Sequence, residues 1–107
     1  MIPGFTDAEI STIRQVLTQA GLTDVDLQLA DSEVVLDNVS RQPVICPSVF
    51  WHEQGANFVV AKTGPEKFKS RFFYTPHDQY GTGVKEYSML KECVEAVLQL
   101  RSDQPKT

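Results

Sequence analysis

Nowhere does this chain hold the run of about 18 apolar residues that a membrane-spanning helix requires. Cysteine is scarce. Cys46 and Cys93 stand far apart in apolar surroundings, with no CxxC and no Cys/His spacing of the kind that binds zinc. A disulfide-framework domain and a zinc module are thereby excluded. The two thiols read as buried small hydrophobes, and a strand-to-helix disulfide is the alternative in an exporting cell. The first residues, Met1 to Asp7, lack the basic start and apolar centre of a secretory signal, so the reading is cytoplasmic. Internal repeats and low-complexity tracts are missing as well.

Basic charge is also in short supply. Ten Lys and Arg face fourteen Asp and Glu, for a net charge of −4. Bulk nucleic-acid affinity normally accompanies a basic domain, and this balance argues against it. The deficit is uneven. Residues 1–53 hold eight acids and two bases, whereas residues 54–107 hold six acids and eight bases. Such asymmetry points to two differently charged faces.

What is present suits one globular domain spanning residues 1–107. The apolar fraction is 41% and the charged fraction 22%, both ordinary for a folded chain. Thr6-Asp7-Ala8-Glu9 is a capping box, with Phe5 and Ile10 placed as a hydrophobic staple. Ile10, Ile13, Val16, Leu17 and Ala20 follow at helical spacing, and Gly21 can close the helix in a left-handed turn.

The middle of the chain reads as strands. Residues 24–29 alternate, with Val25, Leu27 and Leu29 toward the core. Asp31-Ser32 is a turn, and 33–36 a short strand. Residues 43–52 form a longer strand in which Pro47 marks an edge or bulge. Gln54-Gly55 is a hairpin turn, 57–62 a strand, and 67–74 the last strand. A loop from 75 to 85 leads to a helix over 86–101, and residues 102–107 form a fraying tail. The fold class is α+β in two layers: an N-terminal helix, an antiparallel meander of about five strands and a C-terminal helix. Both helices cover one face of the sheet, and the other face must meet water or a partner.

That uncovered face carries the functional reading. In residues 67–74, Phe68, Ser70, Phe72 and Tyr74 share one side, and Lys67, Lys69, Arg71 and Phe73 the other. The aromatic side suits the helices. Residues 43–52 are apolar on both sides, Ile45, Val49 and Trp51 on one and Val44, Cys46 and Phe50 on the other, so some of Ile45, Val49 and Trp51 or their alternates are expected on the open face beside the basic row. Trp51 and Phe73 would act as apolar anchors, with Lys67, Lys69 and Arg71 steering an acidic surface. The expected partner is a protein or a second copy of this chain. Bases interleaved with aromatics also suit single-stranded nucleic acid, but this run is short.

A second candidate is the 75–85 loop. His77, Asp78, Tyr80 and Gly83 precede a helix there and could hold a small ligand or anion, as a binding site or as an enzymatic one. Neither a P-loop nor GxGxxG is present. Five acids, Asp24, Asp26, Asp31, Glu33 and Asp37, lie within fourteen residues without an EF-hand pattern, and read as solvated turns or as a surface for a basic partner. Catalysis lacks a constellation. Cys46 and His52 stand about 20 Å apart along a strand at about 3.3 Å per residue, too far for a nucleophile–base pair. The reading is non-catalytic, with no cofactor and no metal.

Overall fold

Thr6 and Glu9 fix the start of the first helix, α1 (Asp7–Gln19). The Glu9 amide donates to Thr6 Oγ1 at 3.1 Å, and the Thr6 amide donates to Glu9 Oε1 at 2.8 Å. Two donors that the helix itself cannot satisfy are thus paired. At the other end Gly21 adopts φ +85°. The Leu22 amide then reaches the Leu17 carbonyl at 2.8 Å, and the Gly21 amide that of Thr18 at 3.0 Å. This is a Schellman closure, which needs the left-handed residue that glycine supplies without strain.

The computed structural model describes residues 4–35, 42–53, 55–75, 79–81 and 86–103. After α1 come β1 (Gln28–Val35), β2 (Pro43–Glu53), β3 (Ala56–Gly64), β4 (Lys67–Phe73), β5 (Gln79–Gly81) and α2 (Leu90–Asp103). The sheet is an antiparallel meander in the order β1-β2-β3-β4-β5. The helices pack on each other, and α2 lies against β4 and β3. The α+β class, the five antiparallel strands and the bracketing helices agree with the sequence. No described helix is long and apolar enough to cross a membrane.

Three details differ from expectation. In place of separate strands over 24–29 and 33–36 there is one strand, β1, which starts only at Gln28 and runs without a turn through Asp31-Ser32 to Val35. Asp31 pairs with Pro47 and Ser32 with Cys46 in an unbroken ladder. Asp31 and Glu33 are exposed there, so the edge position leaves their charge in water. Pairing of β2 with β3 begins only at Ser48, which leaves Pro47 outside that second ladder. Next, Leu29 is 66% exposed rather than core-facing. The helices lie over β3 and β4, and β1 extends beyond their cover. Val25 and Leu27 do pack on the core.

The fifth strand is also not where the sequence suggested. β5 falls inside the expected loop and pairs with Arg71, Phe72 and Phe73. Beyond it, Tyr87 forms a bridge with Phe68 through backbone hydrogen bonds of 2.7 and 2.8 Å. That bridge holds the chain extended and delays α2 to Leu90.

Between the layers runs a row of aromatic side chains, one from each of four strands. The register aligns Trp51 with Phe58, Phe58 with Phe72, and Phe72 with Tyr80. Trp51 stacks on Phe58 at 5.2 Å and 7°, and Phe72 on Tyr80 at 5.0 Å and 19°. Ile13, Val16 and Leu17 of α1, with Leu90, Cys93, Val94 and Val97 of α2, complete this core. A buried hydroxyl ties the layers together: Ser70 Oγ donates to the Cys93 carbonyl at 2.9 Å.

Candidate binding face of the sheet

The helix-free side of the sheet is defined by the register. Gln28, Phe50, Val59, Arg71 and Gly81 align across all five strands. On one side of that row lie Ala30, Ser48, Ala61 and Lys69. On the other lie His52, Asn57 and Phe73. Lys69, Arg71 and Phe73 thus share the open face, as their alternation with Phe68, Ser70 and Phe72 implied. Lys67 is exposed at the start of β4.

Trp51 does not belong to this face. It is 3% exposed and lies under the helices. The physical reason is the register: a side chain paired with Phe58 and hence with Phe72 shares their side of the pleat. Trp51 is therefore a core residue, and its role as an apolar anchor for a partner is withdrawn. Phe50, one residue earlier, occupies the position Trp51 was expected to hold. It and Phe73 are half-buried at the surface. Two-sided apolarity along β2 hid which of the two faces outward.

One end of the open face is already dry within the chain. Val34, Cys46 and Ala61 form a small buried cluster of their own. Ser32 and Ser48 share a hydroxyl–hydroxyl hydrogen bond beside it, and Ser48 Oγ donates to the Cys46 carbonyl at 3.1 Å. Thr63 Oγ1 donates to Glu86 Oε2 at 2.6 Å.

The other half is where charge and surface meet. Arg71 is half-buried, and loss of water around it lowers its pKa from the ordinary value. Its Nε is buried without a hydrogen-bond partner. No salt bridge involves Arg71 among the described residues; the ion pair found there joins Lys62 to Glu9. Lys69 stands half-exposed next to it. His52 Nδ1 and Asn57 Oδ1 lie 3.0 Å apart in a hydrogen bond that holds the imidazole against the surface.

The second candidate falls mostly elsewhere. His77, Asp78 and Gly83 lie outside the described residues. Tyr80 belongs to the aromatic row on the covered side, stacked on Phe72. Among the described residues, no group of three or more His, Cys, Asp or Glu could hold a metal ion.

Neither thiol is activated. Burial pushes the Cys46 thiol up, and the charge of Glu86 pushes it the same way. Burial raises Cys93 to about 11, the Ser70 hydrogen bond opposing only part of this. At pH 8 about one Cys93 in a thousand is then ionised, and thiolate is the reactive form. Both cysteines are free and fully buried. A small aromatic disulfide reagent should therefore label neither in the native protein and both once denaturant is added. Prompt labelling before unfolding would contradict this burial.

Comparison of the chain with models of known protein families, with curated proteins and with solved structures finds no match.

Proposed function

We propose that this chain is a non-catalytic protein-binding module whose open sheet face engages an acidic protein surface. Arg71 carries the reading. A guanidinium stripped of part of its water and given no acid among the described residues is costly to keep, and a partner carboxylate arriving at that point removes the cost. Phe50 and Phe73 flank it with half-buried apolar surface, and Lys69 extends the positive field. Arginine with aromatic neighbours is the composition typical of interface centres.

A second copy of this chain, itself carrying −4, is one such acidic protein. A polyanionic nucleic acid fits less well, because the chain's own charge opposes it. Free thiols at Cys46 and Cys93 support a reducing compartment, the cytoplasm, as the setting.

Residue-specific photo-cross-linking in cells tests the reading. A cross-linker in place of Lys69 should trap a defined protein adduct, and one in place of Lys91 on α2 should not. Arg71→Ser should weaken that adduct by about 30-fold or more, the scale expected when a paired interface charge is truncated. Light scattering then tells whether the trapped protein is a second copy. Equal adducts from positions 69 and 91, or an adduct indifferent to Arg71, would remove the proposal.

A further inference from the structure

Lys69 and Arg71 form no salt bridge among the described residues, and neither do Asp31 and Glu33. The first two stand two residues apart on β4, and the second two stand two residues apart on β1. Alternation puts each pair on one side of its strand, with its members about 7 Å apart. The same step adds a third side chain to each row, Phe73 beyond Arg71 and Leu29 before Asp31. Laid in opposite directions, Lys69, Arg71 and Phe73 match Glu33, Asp31 and Leu29. Base meets acid twice and apolar meets apolar once.

The acidic row stands on a ledge. Leu29 pairs with Val49, Val49 with Val60 and Val60 with Ser70, whose hydroxyl bonds to α2. Leu29, Asp31 and Glu33 therefore face the helix side, at the end of the sheet that the helices leave uncovered. Leu29 is 66% exposed there, and Ile45, paired with Glu33 on the same side, is 56% exposed. Exposed apolar side chains rimmed by charge mark a contact surface. This one is opposite in sign to the Arg71 face.

We infer, on the strength of the binding reading above, that the acidic surface engaged by the Arg71 face is this ledge on a second copy of the chain. Lys69 and Arg71 of one copy meet Glu33 and Asp31 of the next, with Phe73 against Leu29. The two surfaces lie on opposite sides of the sheet, so the contact is heterologous. Each added copy keeps one face or one ledge free, and association builds chains of copies that do not stop at two.

Light scattering at low salt, over about 10 μM to 1 mM protein, should show a mass that rises with concentration past that of a pair. Two variants block the contact from either side. Lys69→Ser with Arg71→Ser removes the basic face, and Asp31→Lys with Glu33→Lys reverses the ledge. Asp31 and Glu33 are exposed and Lys69 and Arg71 half-exposed, so both variants should keep the native circular dichroism. Each alone should stay monomeric. Mixed in equal amounts they should form a pair and nothing larger, because one intact ledge and one intact face remain between them. A parent protein that is monomeric up to about 1 mM, or a mixture no heavier than its parts, overturns the inference. Self-association that survives in either variant overturns it too. A position-69 adduct with a different protein, alongside a monomeric parent, leaves the binding reading standing and removes the ledge as its partner.

Discussion

Trp51→Ala is expected to lower the unfolding free energy by about 3–5 kcal/mol, the cost of truncating a large aromatic in a packed core. The ring is 3% exposed and stacked on Phe58, and its neighbours in the row cannot all move in to fill the void. Against a total of about 5–15 kcal/mol for a domain of this kind, such a loss leaves little or no folded margin. Trp51→Phe should lose much less, because an aromatic surface still meets Phe58. Circular dichroism with urea is the appropriate measurement, since the substitution removes the only tryptophan emission. A loss under about 1 kcal/mol for the alanine variant would return Trp51 to a wet surface.

The second large effect lies at the foot of α1. Lys62 projects from near the end of β3 onto the covered side of the sheet, where its side chain is 5% exposed. It survives burial because three groups receive it. Glu9 Oε1 lies at 2.8 Å, the Gly4 carbonyl at 3.2 Å, and the Phe5 ring centroid at 6.0 Å. Glu9→Gln separates the ion pair from the cap, since glutamine can still complete a capping box. What remains is a buried ammonium facing a neutral amide. The expected loss is about 3 kcal/mol, the lower end for breaking a buried pair, because Glu9 retains 19% exposure. Adding Lys62→Met should recover part of it, since an apolar chain of similar length suits the same space. A loss below about 1 kcal/mol for Glu9→Gln would mean that the pair behaves as a surface salt bridge.

The same pair sets a pH dependence. Burial alone would raise the Glu9 carboxyl, but the hydrogen bond from Lys62, the Thr6 amide and the Lys62 charge together hold it below the ordinary range. A group whose pKa is lower folded than unfolded binds fewer protons when folded. Its contribution is complete above the unfolded value of about 4.3 and fades as pH falls through the lower folded one. Urea midpoints of the parent protein should therefore drop between about pH 5 and pH 3 more steeply than those of Glu9→Gln.

These two sites mark what the sequence could and could not disclose. The start and end of α1 were legible because every signal there is local: Thr6 and Glu9 three residues apart, Gly21 one residue past the cap. The alternation of β4 was legible too, because Phe68 and Phe72 differ so sharply from Lys69 and Arg71. Trp51 was misplaced because β2 is apolar on both sides and gives no orientation of its own. A signal existed nonetheless. The hairpin expected at Gln54-Gly55 is a local signal: Gly55 adopts φ +79°, Glu53 pairs with Ala56, and Trp51 therefore pairs with Phe58. Counting outward from it assigns the face. The same count fails between β3 and β4, where a register shift falls between Lys62 and Gly64. Lys62 itself looks like any strand lysine. Its burial depends on Glu9, 53 positions away, and local pattern carries no trace of that contact. β5 is three residues long and exists only because β4 offers an edge.

Among the described residues nothing pairs with the outer backbone edge of the first strand, and Asp31 and Glu33 stand exposed along it. An unpaired edge is a template on which copies can add to one another and grow into aggregates. Two copies meeting antiparallel about Ser32 would set each Asp31 directly against the Glu33 of the other. Like charges so opposed resist pairing, which makes the two carboxylates guards against runaway strand addition. Salt screens exposed charges over about 8 Å at physiological ionic strength and over less in stronger salt, so concentrated salt would weaken this protection.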